Sequence, residues 1–304
     1  MQQFASVDRP LMGVLLTIAF CVVIPFSDAL AKILMETVPL VTILGARFLG
    51  QALMSAPNML RHGLRMSRYV FVLTFIRTAL QLSSLALIYV AFRYLPLADA
   101  IAISFVSPFL LMLMGKLFLG EQVGPRRIAA CGVGFVGTLL VIQPSFAEVG
   151  MAALLPLACA ITFSLYTLTT RQVARIADPV RVQGVSGLLG VSALLLISFL
   201  GSESIPDMRI VVPSGADAWL LVAIATIGSI AHMMMTWALR MAPAATLAPI
   251  QYVEIPFATL IGWMFFRDLP DGLAAVGILL IMSAGLYIIH RERVVARQVA
   301  TVPA

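Results

Sequence analysis

The chain has 304 residues, 61% of them apolar and only 11% charged, with a formal net charge of +6 and a mean hydropathy of +1.02. Soluble domains carry about 25% charged residues. The composition therefore excludes a soluble enzyme on a membrane anchor, and it excludes disorder, which needs low hydrophobicity and high charge. The basic residues lie between apolar stretches, so the positive balance points to membrane-flanking loops and not to nucleic-acid binding.

A helix needs about 20 mostly apolar residues to cross a bilayer. Ten such segments follow in chain order: about 11–34, 38–56, 69–91, 96–118, 127–144, 151–171, 180–200, 217–239, 244–266 and 272–290. The first has Arg9 before it and Ala29-Leu30-Ala31 near its end, a pattern shared with cleaved leader peptides. Its removal would break the repeat described below. The second and third segments contain Arg47 and Arg77, whereas 128–147, 149–170, 182–202 and 218–239 contain no charge. Loops are short, and only 201–217 is long enough for an excursion outside the membrane. Cys21, Cys131 and Cys159 each sit in an apolar run without metal-ligand or CxxC spacing, and they read as small apolar residues. No metal site, cofactor site or catalytic motif is expected: HExxH, GxSxG and the P-loop are absent.

With ten spans and the N-terminus inside, fourteen Lys and Arg residues fall on the cytoplasmic side, and Arg93, Arg209 and Arg267 on the other. That bias predicts both termini cytoplasmic in an inner-type plasma membrane. The stretch 91–121 aligns without gaps on 238–268, with nine identities in 31 positions, among them Pro96/Pro243, Gly115/Gly262 and Phe118/Phe265. Phe26-Ser27 likewise echoes Phe163-Ser164. Segment four then corresponds to nine and one to six. Two repeats of five helices each must point in opposite directions, the inverted-repeat arrangement of many secondary transporters. The expected fold is an all-α integral membrane protein of two five-helix repeats, 11–144 and 151–290, followed by a cytoplasmic tail, 291–304.

The run Tyr94-Leu95-Pro96-Leu97-Ala98-Asp99-Ala100, the stretch Phe105 to Glu121 ending in Leu119-Gly120-Glu121, and Arg47-Phe48 carry a resemblance. So do Gly262-Trp263-Met264-Phe265-Phe266 and Asp268 in the second copy. The chain resembles the drug/metabolite transporter superfamily, in its ten-helix EamA-type branch. The resemblance implies two EamA repeats around a central cavity and movement of small organic metabolites by alternating access. Similar carriers move riboflavin, S-adenosylmethionine, amino acids or metallophores. Arg267-Asp268 replaces Gly-Glu in the second copy, a departure from the pattern at that loop.

Charge inside a membrane costs about 2.5–3.5 kcal/mol per group on insertion scales, and such groups face protein or water-filled cavities. Asp28, Lys32, Arg47, Arg77, Asp99 and Glu254 form this embedded set. Asp28 and Lys32 have i,i+4 spacing, which allows a pair on one helix face; with Asp99 they are candidates for ion pairing or for coupling to a proton. Arg77 and Gln81 share a face, and Arg77 either grips an anionic group or pairs with Asp28, Asp99 or Glu254. Arg47 with Gln51 reads as scaffold. Glu254 lies mid-span beside Gln251, between Pro249 and Pro256. Prolines free backbone carbonyls, and broken helices beside an ionisable group form ion and substrate sites. Pro108, with Ser104 and Ser107, marks a similar place in the fourth segment, so Pro108, Pro249 and Pro256 are expected hinges. His232 adds a titratable ring, and Tyr166, Trp237 and Tyr252 add flat surface. The expected substrate-binding set is Arg77, Gln81, Ser104, Tyr166, His232, Trp237, Gln251, Tyr252 and Glu254. The small pair Ala130 and Gly134 can serve helix packing or a homodimer. A secondary transporter of a small metabolite (vitamin, nucleoside-like or amino-acid-like) is the leading reading. A channel, a membrane enzyme without a recognisable motif and a non-transporting partner subunit are the alternatives.

Overall fold

In a computed structural model, residues 9–121, 124–201, 205–268 and 272–300 are described, with 127, 141–149 and 288–300 described by backbone only. The sequence-defined tail, 291–304, lies outside the described side chains. The described residues form twelve α-helices: α1 (Pro10–Leu34), α2 (Leu40–His62), α3 (Arg68–Ala91), α4 (Leu97–Ser104), α5 (Ser107–Leu119), α6 (Pro125–Val149), α7 (Leu154–Ile176), α8 (Pro179–Gly201), α9 (Ala216–Met241), α10 (Ala244–Leu247), α11 (Glu254–Phe266) and α12 (Gly272–Ala300). Short 3-10 turns cover Gly150–Ala153, Pro206–Met208 and Ala248–Val253. Eight stretches are long and apolar enough to cross a membrane, counting α4 with α5 and α10 with α11 as single stretches. Two shorter apolar helical stretches, Ile128–Leu140 in α6 and Gly272–Tyr287 in α12, lie where the sequence places the fifth and tenth segments.

The closest helix pairs are α1 with α9, α3 with α7, α2 with α8 and α6 with α12. Matching α1 to α7, α2 to α8, α3 to α9 and α6 to α12 exchanges the first two pairs and leaves the other two unchanged. Each half thus packs on the other by the same rules, as a duplicated chain requires.

Helix breaks fall in the same register in both copies. In the first, Phe105 and Val106 donate to Ala102 and Ile103 at 3.1 and 3.4 Å, a tightened turn before α5 begins at Ser107. Pro108 has no N–H to offer the carbonyl of Ser104. In the second copy, Pro249 and Pro256 remove two donors, and the chain runs as a 3-10 segment until Glu254 starts α11. With the offset of the gapless alignment, Phe105-Val106 falls on Tyr252-Val253 and Ser107 on Glu254. The breaks therefore lie on residues before the expected hinges Pro108 and Pro256, which sit inside the first turns of α5 and α11. The rings of Phe105 and Tyr252 meet at 5.7 Å, so the two breaks touch.

Gly134 is used inside the chain: a Cβ there would lie 2.6 Å from the Tyr252 ring. Ala130 packs on Ala284. The loop after α8 is tied back by Arg93, whose guanidinium donates to both carboxylate oxygens of Asp207 at 2.6 and 2.7 Å. These hydrogen bonds hold the Asp207 carboxyl below its ordinary pKa. Their contribution to stability is present above that ordinary value and fades as pH falls through the lowered one. Both side chains are about one-third exposed, so the effect is small.

Each half ends its broken helix in the left-handed region. Gly120 (φ 63°) does so after α5 and Arg267 (φ 59°) after α11. Glycine takes this conformation without strain, while an L side chain costs roughly 1–2 kcal/mol. Arg267→Gly is expected to raise the thermal midpoint of the detergent-purified protein and Gly120→Ala to lower it, each by an amount equivalent to about 1 kcal/mol. Equal or reversed signs would show that the backbone conformation is not what limits these turns.

Candidate functional site

A cavity lies at the depth of the two breaks, with some 690 Å³ of space free of atoms, mouth included. Helix α1 contributes Phe20, Ile24 and Asp28, and α3 contributes Gln81, Ser84, Leu85 and Ile88. The first break supplies Ile101, Ser104, Phe105 and Ser107; the second supplies Gln251 and Glu254. Cys159, Phe163 and Tyr166 come from α7, and His232 from α9. Both halves therefore form the wall. The α1 residues recur every fourth position, the α3 residues every third or fourth, so each helix offers one face.

Several polar atoms in this wall are buried and unpaired within the protein. Both amide atoms of Gln81, Nε2 of Gln251 and Nε2 of His232 have no hydrogen-bond partner among the described residues. A buried polar group left unsatisfied costs about 1–3 kcal/mol, so these groups await water or a ligand. His232 Nδ1 lies 3.3 Å from the Tyr166 hydroxyl, with the two rings edge to face.

The embedded charges are held in different ways. Arg47 is fully buried in α2 behind the cavity. Its Nη1 donates to Ser27 Oγ at 3.0 Å and to the Tyr89 hydroxyl, and it lies 3.6 Å from Asp28 Oδ1. Gly228 makes the space, since a Cβ there would stand 2.9 Å from the guanidinium. Arg77 is also fully buried. It donates to Thr170 (3.0 Å), Ser186 (2.7 Å), Tyr166 (3.1 Å), Gln183 (2.9 Å) and Thr236 (3.2 Å). All five acceptors are neutral, and they come from α7, α8 and α9. No carboxylate of the described residues reaches it. Arg77 thus lies beneath the cavity floor and takes none of the three carboxylate partners the sequence offered.

The i,i+4 pair of Asp28 and Lys32 does not form. Asp28 turns to Arg47, while Lys32 reaches Asp268 at 3.7 Å and the Leu95 carbonyl at 3.2 Å. Lys32 sits at the mouth of a second cleft, with Glu36, Arg93, Tyr94 and Asp268. Asp99 stands in the first turn of α4, outside the cavity wall. Trp237 stacks with Arg240 at 5.4 Å and also lies outside. Tyr252 is fully buried behind the break. Of the nine expected substrate-binding residues, the cavity brings together Gln81, Ser104, Tyr166, His232, Gln251 and Glu254. Sequence reasoning missed Phe20, Phe105 and Phe163, which are apolar residues among many. It also missed Thr170, Gln183 and Ser186; their signal was polarity on one face of otherwise apolar spans.

The model of the EamA-like transporter family matches residues 11–143 and 150–290. The chain is 34% identical over 197 residues to a riboflavin transporter of Rhizobium johnstonii, an alignment that covers 65% of this chain and spans 63% of that relative. It is 28% identical over 275 residues to the pseudopaline exporter CntI of Pseudomonas aeruginosa, covering 90% of this chain and 94% of the relative. A solved crystal structure with 21% identity superposes with a TM-score of 0.69, covering 91% of this chain and 96% of that one.

Removing Arg47 leaves Asp28 without its cation, and breaking a buried ion pair on one side costs about 3–5 kcal/mol. Arg47→Met is expected to lower the thermal midpoint in detergent sharply, and adding Asp28→Asn to recover a large part of the loss. No recovery in the double variant would mean that Arg47 stabilises through Ser27 and Tyr89 alone.

Proposed function

Since this chain belongs to the EamA-like transporter family, we propose that it carries a small, ring-bearing metabolite across the membrane by alternating access around the central cavity. Two five-helix repeats, 11–144 and 151–290, rock against each other. α6 and α12 are the fifth and tenth spans, since their 25 and 29 residues suffice in length. The Glu121 end of the bundle faces the cytoplasm, along with both termini, in keeping with the distribution of Lys and Arg.

The observation that carries this reading is the wall of the cavity. Unpaired amide and imidazole atoms of Gln81, Gln251 and His232 stand among the rings of Phe20, Phe105, Phe163 and Tyr166. Aromatic faces and a few placed polar groups are the usual equipment for a flat polar ligand. Among the described residues, the only charged groups in the wall are Asp28 and Glu254. Asp28 is compensated by Arg47, while no described cation lies within ion-pair distance of Glu254. That favours a neutral or cationic substrate, with Glu254 taking a proton or a positive substrate group. The relatives named for riboflavin supply one neutral ring compound to try first.

The test is uptake and efflux of a labelled panel in proteoliposomes: riboflavin, a cationic metabolite and an anionic one, each with and without a proton gradient. Net flux of a neutral or cationic compound is expected, driven by the gradient. Glu254→Gln is expected to abolish the response to the gradient while exchange of labelled for unlabelled substrate persists. A panel in which only the anion moves, or a gradient response untouched by Glu254→Gln, would overturn the assignment.

A further inference from the structure

The two ends of the bundle carry the same device in two different positions. Gly115, Gly120 and Glu121 of the first half correspond to Gly262, Arg267 and Asp268 of the second. Their cross-repeat neighbours, Ala244 and Ala245, correspond to Leu97 and Ala98.

At the first end, Glu121 reaches over Gly115 into the other half. Its Oε1 accepts the Ala244 N–H at 3.1 Å and its Oε2 the Ala245 N–H at 2.8 Å. A Cβ on Gly115 would stand 2.9 Å from that carboxylate, so only glycine leaves it room. Arg171 lies 3.7 Å away and anchors itself by donating to the carbonyls of Leu239 and Arg240 at 2.6 and 3.3 Å. The two side chains are only 6% and 11% exposed. N–H groups at the start of a helical run have no intrahelical acceptor, and a carboxylate there satisfies both their hydrogen bonds and their partial charge.

At the second end, the equivalent contact is open. Gly262 still faces Ala98 across the repeats, with Ala98 N 3.9 Å from the place of a Cβ. Asp268 is one methylene shorter than Glu121. It makes no hydrogen bond to Leu97 or Ala98 among the described contacts and turns to Lys32 at 3.7 Å. Its side chain is 36% exposed, and that of Lys32 is 19% exposed. A cleft opens beside them, lined by Lys32, Leu95, Pro96 and Asp268. Across this end run the exposed fork of Arg93 and Asp207, the hydrogen bond from Thr37 to Asp217 at 2.9 Å and the Thr42 hydroxyl between Arg209 and Val211.

We propose that Glu121 and Asp268 are a pair of exchanging clamps that set which end of the cavity is closed. In the arrangement seen here, Glu121 holds the start of the second broken helix and its end is shut. In the opposite arrangement, Glu121 releases Ala244 and Ala245, and Asp268 takes the free N–H groups of Leu97 and Ala98. One capped helix start is traded for the other, so the two arrangements stay close in free energy. Arg171 keeps its two carbonyls and Lys32 keeps Leu95, so neither cation is stranded by the exchange. This inference rests on the alternating-access reading and gives that motion its positioning residues.

The test reads accessibility without any substrate. Ser104→Cys places a thiol in the cavity wall, in a background where Cys21, Cys131 and Cys159 are replaced by Ala. A small membrane-impermeant methanethiosulfonate is applied to membrane vesicles of each orientation. In the otherwise unaltered chain, modification is expected to be faster from the Asp268 face. Glu121→Gln weakens the closed clamp, and Asp268→Glu supplies the missing methylene to the open one. Both are expected to shift the ratio of the two rates toward the Glu121 face, by about tenfold for the loss of charge-assisted hydrogen bonds. Asp268→Asn is expected to shift it the other way. Rates that stay unchanged, or that rise from both faces together, would overturn the clamp; thermal midpoints of the variants identify a variant that merely unfolds. Substrate flux of the native chain is measured separately. Lost flux with the sign pattern intact refutes the metabolite assignment alone, while a failed sign pattern with intact flux refutes the clamp alone.

Discussion

A chain crossing a bilayer cannot interrupt a helix at mid-depth unless protein or water satisfies the backbone groups set free, because lipid supplies no hydrogen bonds. Two interruptions occur here, and the rest of the arrangement follows from where their freed groups go. At the first, Ser164 donates its hydroxyl to the Ser107 carbonyl at 3.0 Å. At the second, the 3-10 segment spends its N–H groups on nearer carbonyls, and the Cys21 thiol lies 3.8 Å from the Gln251 carbonyl. α1 and α7, the first helices of the two halves, thus each cover a break of the other's helix set. The breaks meet at Phe105 and Tyr252, so the irregular backbone of both halves is gathered in one place. A cavity at that place is the physical consequence.

The same economy governs charge. Arg47 and Arg77 are both fully buried, yet they are held in different ways. Arg47 has a carboxylate partner, and its role is local: it joins α2 to α1 and α3 through Asp28, Ser27 and Tyr89. Arg77 has only neutral oxygens, spread over three helices of the other half. A guanidinium presents five donors in a fixed plane, which lets one side chain fasten several elements at once. Hydrogen bonds to a charged group contribute more than neutral ones, about 1.5–3 kcal/mol each, and here they offset a desolvation that no anion relieves. α3 is thereby bound to α7, α8 and α9 below the cavity.

Much of this was legible in the sequence. Hydropathy marked eight stretches long enough to span and two shorter apolar helices, and the gapless match of 91–121 to 238–268 carried the register of both breaks, the left-handed turns after them and the cross-repeat contacts. Pro249, Pro256 and Pro108 marked the breaks to within a few residues, because proline shows which donor is lost and not which residue bends. Pairing was less legible. Asp28 and Lys32 share a helix face, but each finds a better partner from a distant segment, and spacing along one helix says nothing about what packs against it. Glu121 drew notice as the acidic end of the repeated stretch and as part of a resemblance. Its function as a cap on Ala244 and Ala245 depends on two chain segments 123 and 124 residues apart, which no local pattern records.

The embedded set contains equal numbers of acids and bases, and on sequence alone that balance suits a zwitterion. The folded arrangement breaks the balance. Arg47 and Arg77 stand behind or below the cavity, and Lys32 stands in the second cleft with Asp268. Among the described residues, Asp28 and Glu254 alone bring charge to the wall. Arg47 neutralises much of Asp28 at 3.6 Å, while Glu254 faces the cavity as the first residue of α11, its backbone N–H close to the helix start. A helix N-terminus favours an ionised carboxylate, but low-dielectric surroundings penalise it. Entry of an anion would add repulsion to that penalty, whereas a proton or a cationic group would relieve it. On the proposed function, the local sign of the wall, set by which side chains reach it, governs what can bind, and the net count of charges in the membrane does not.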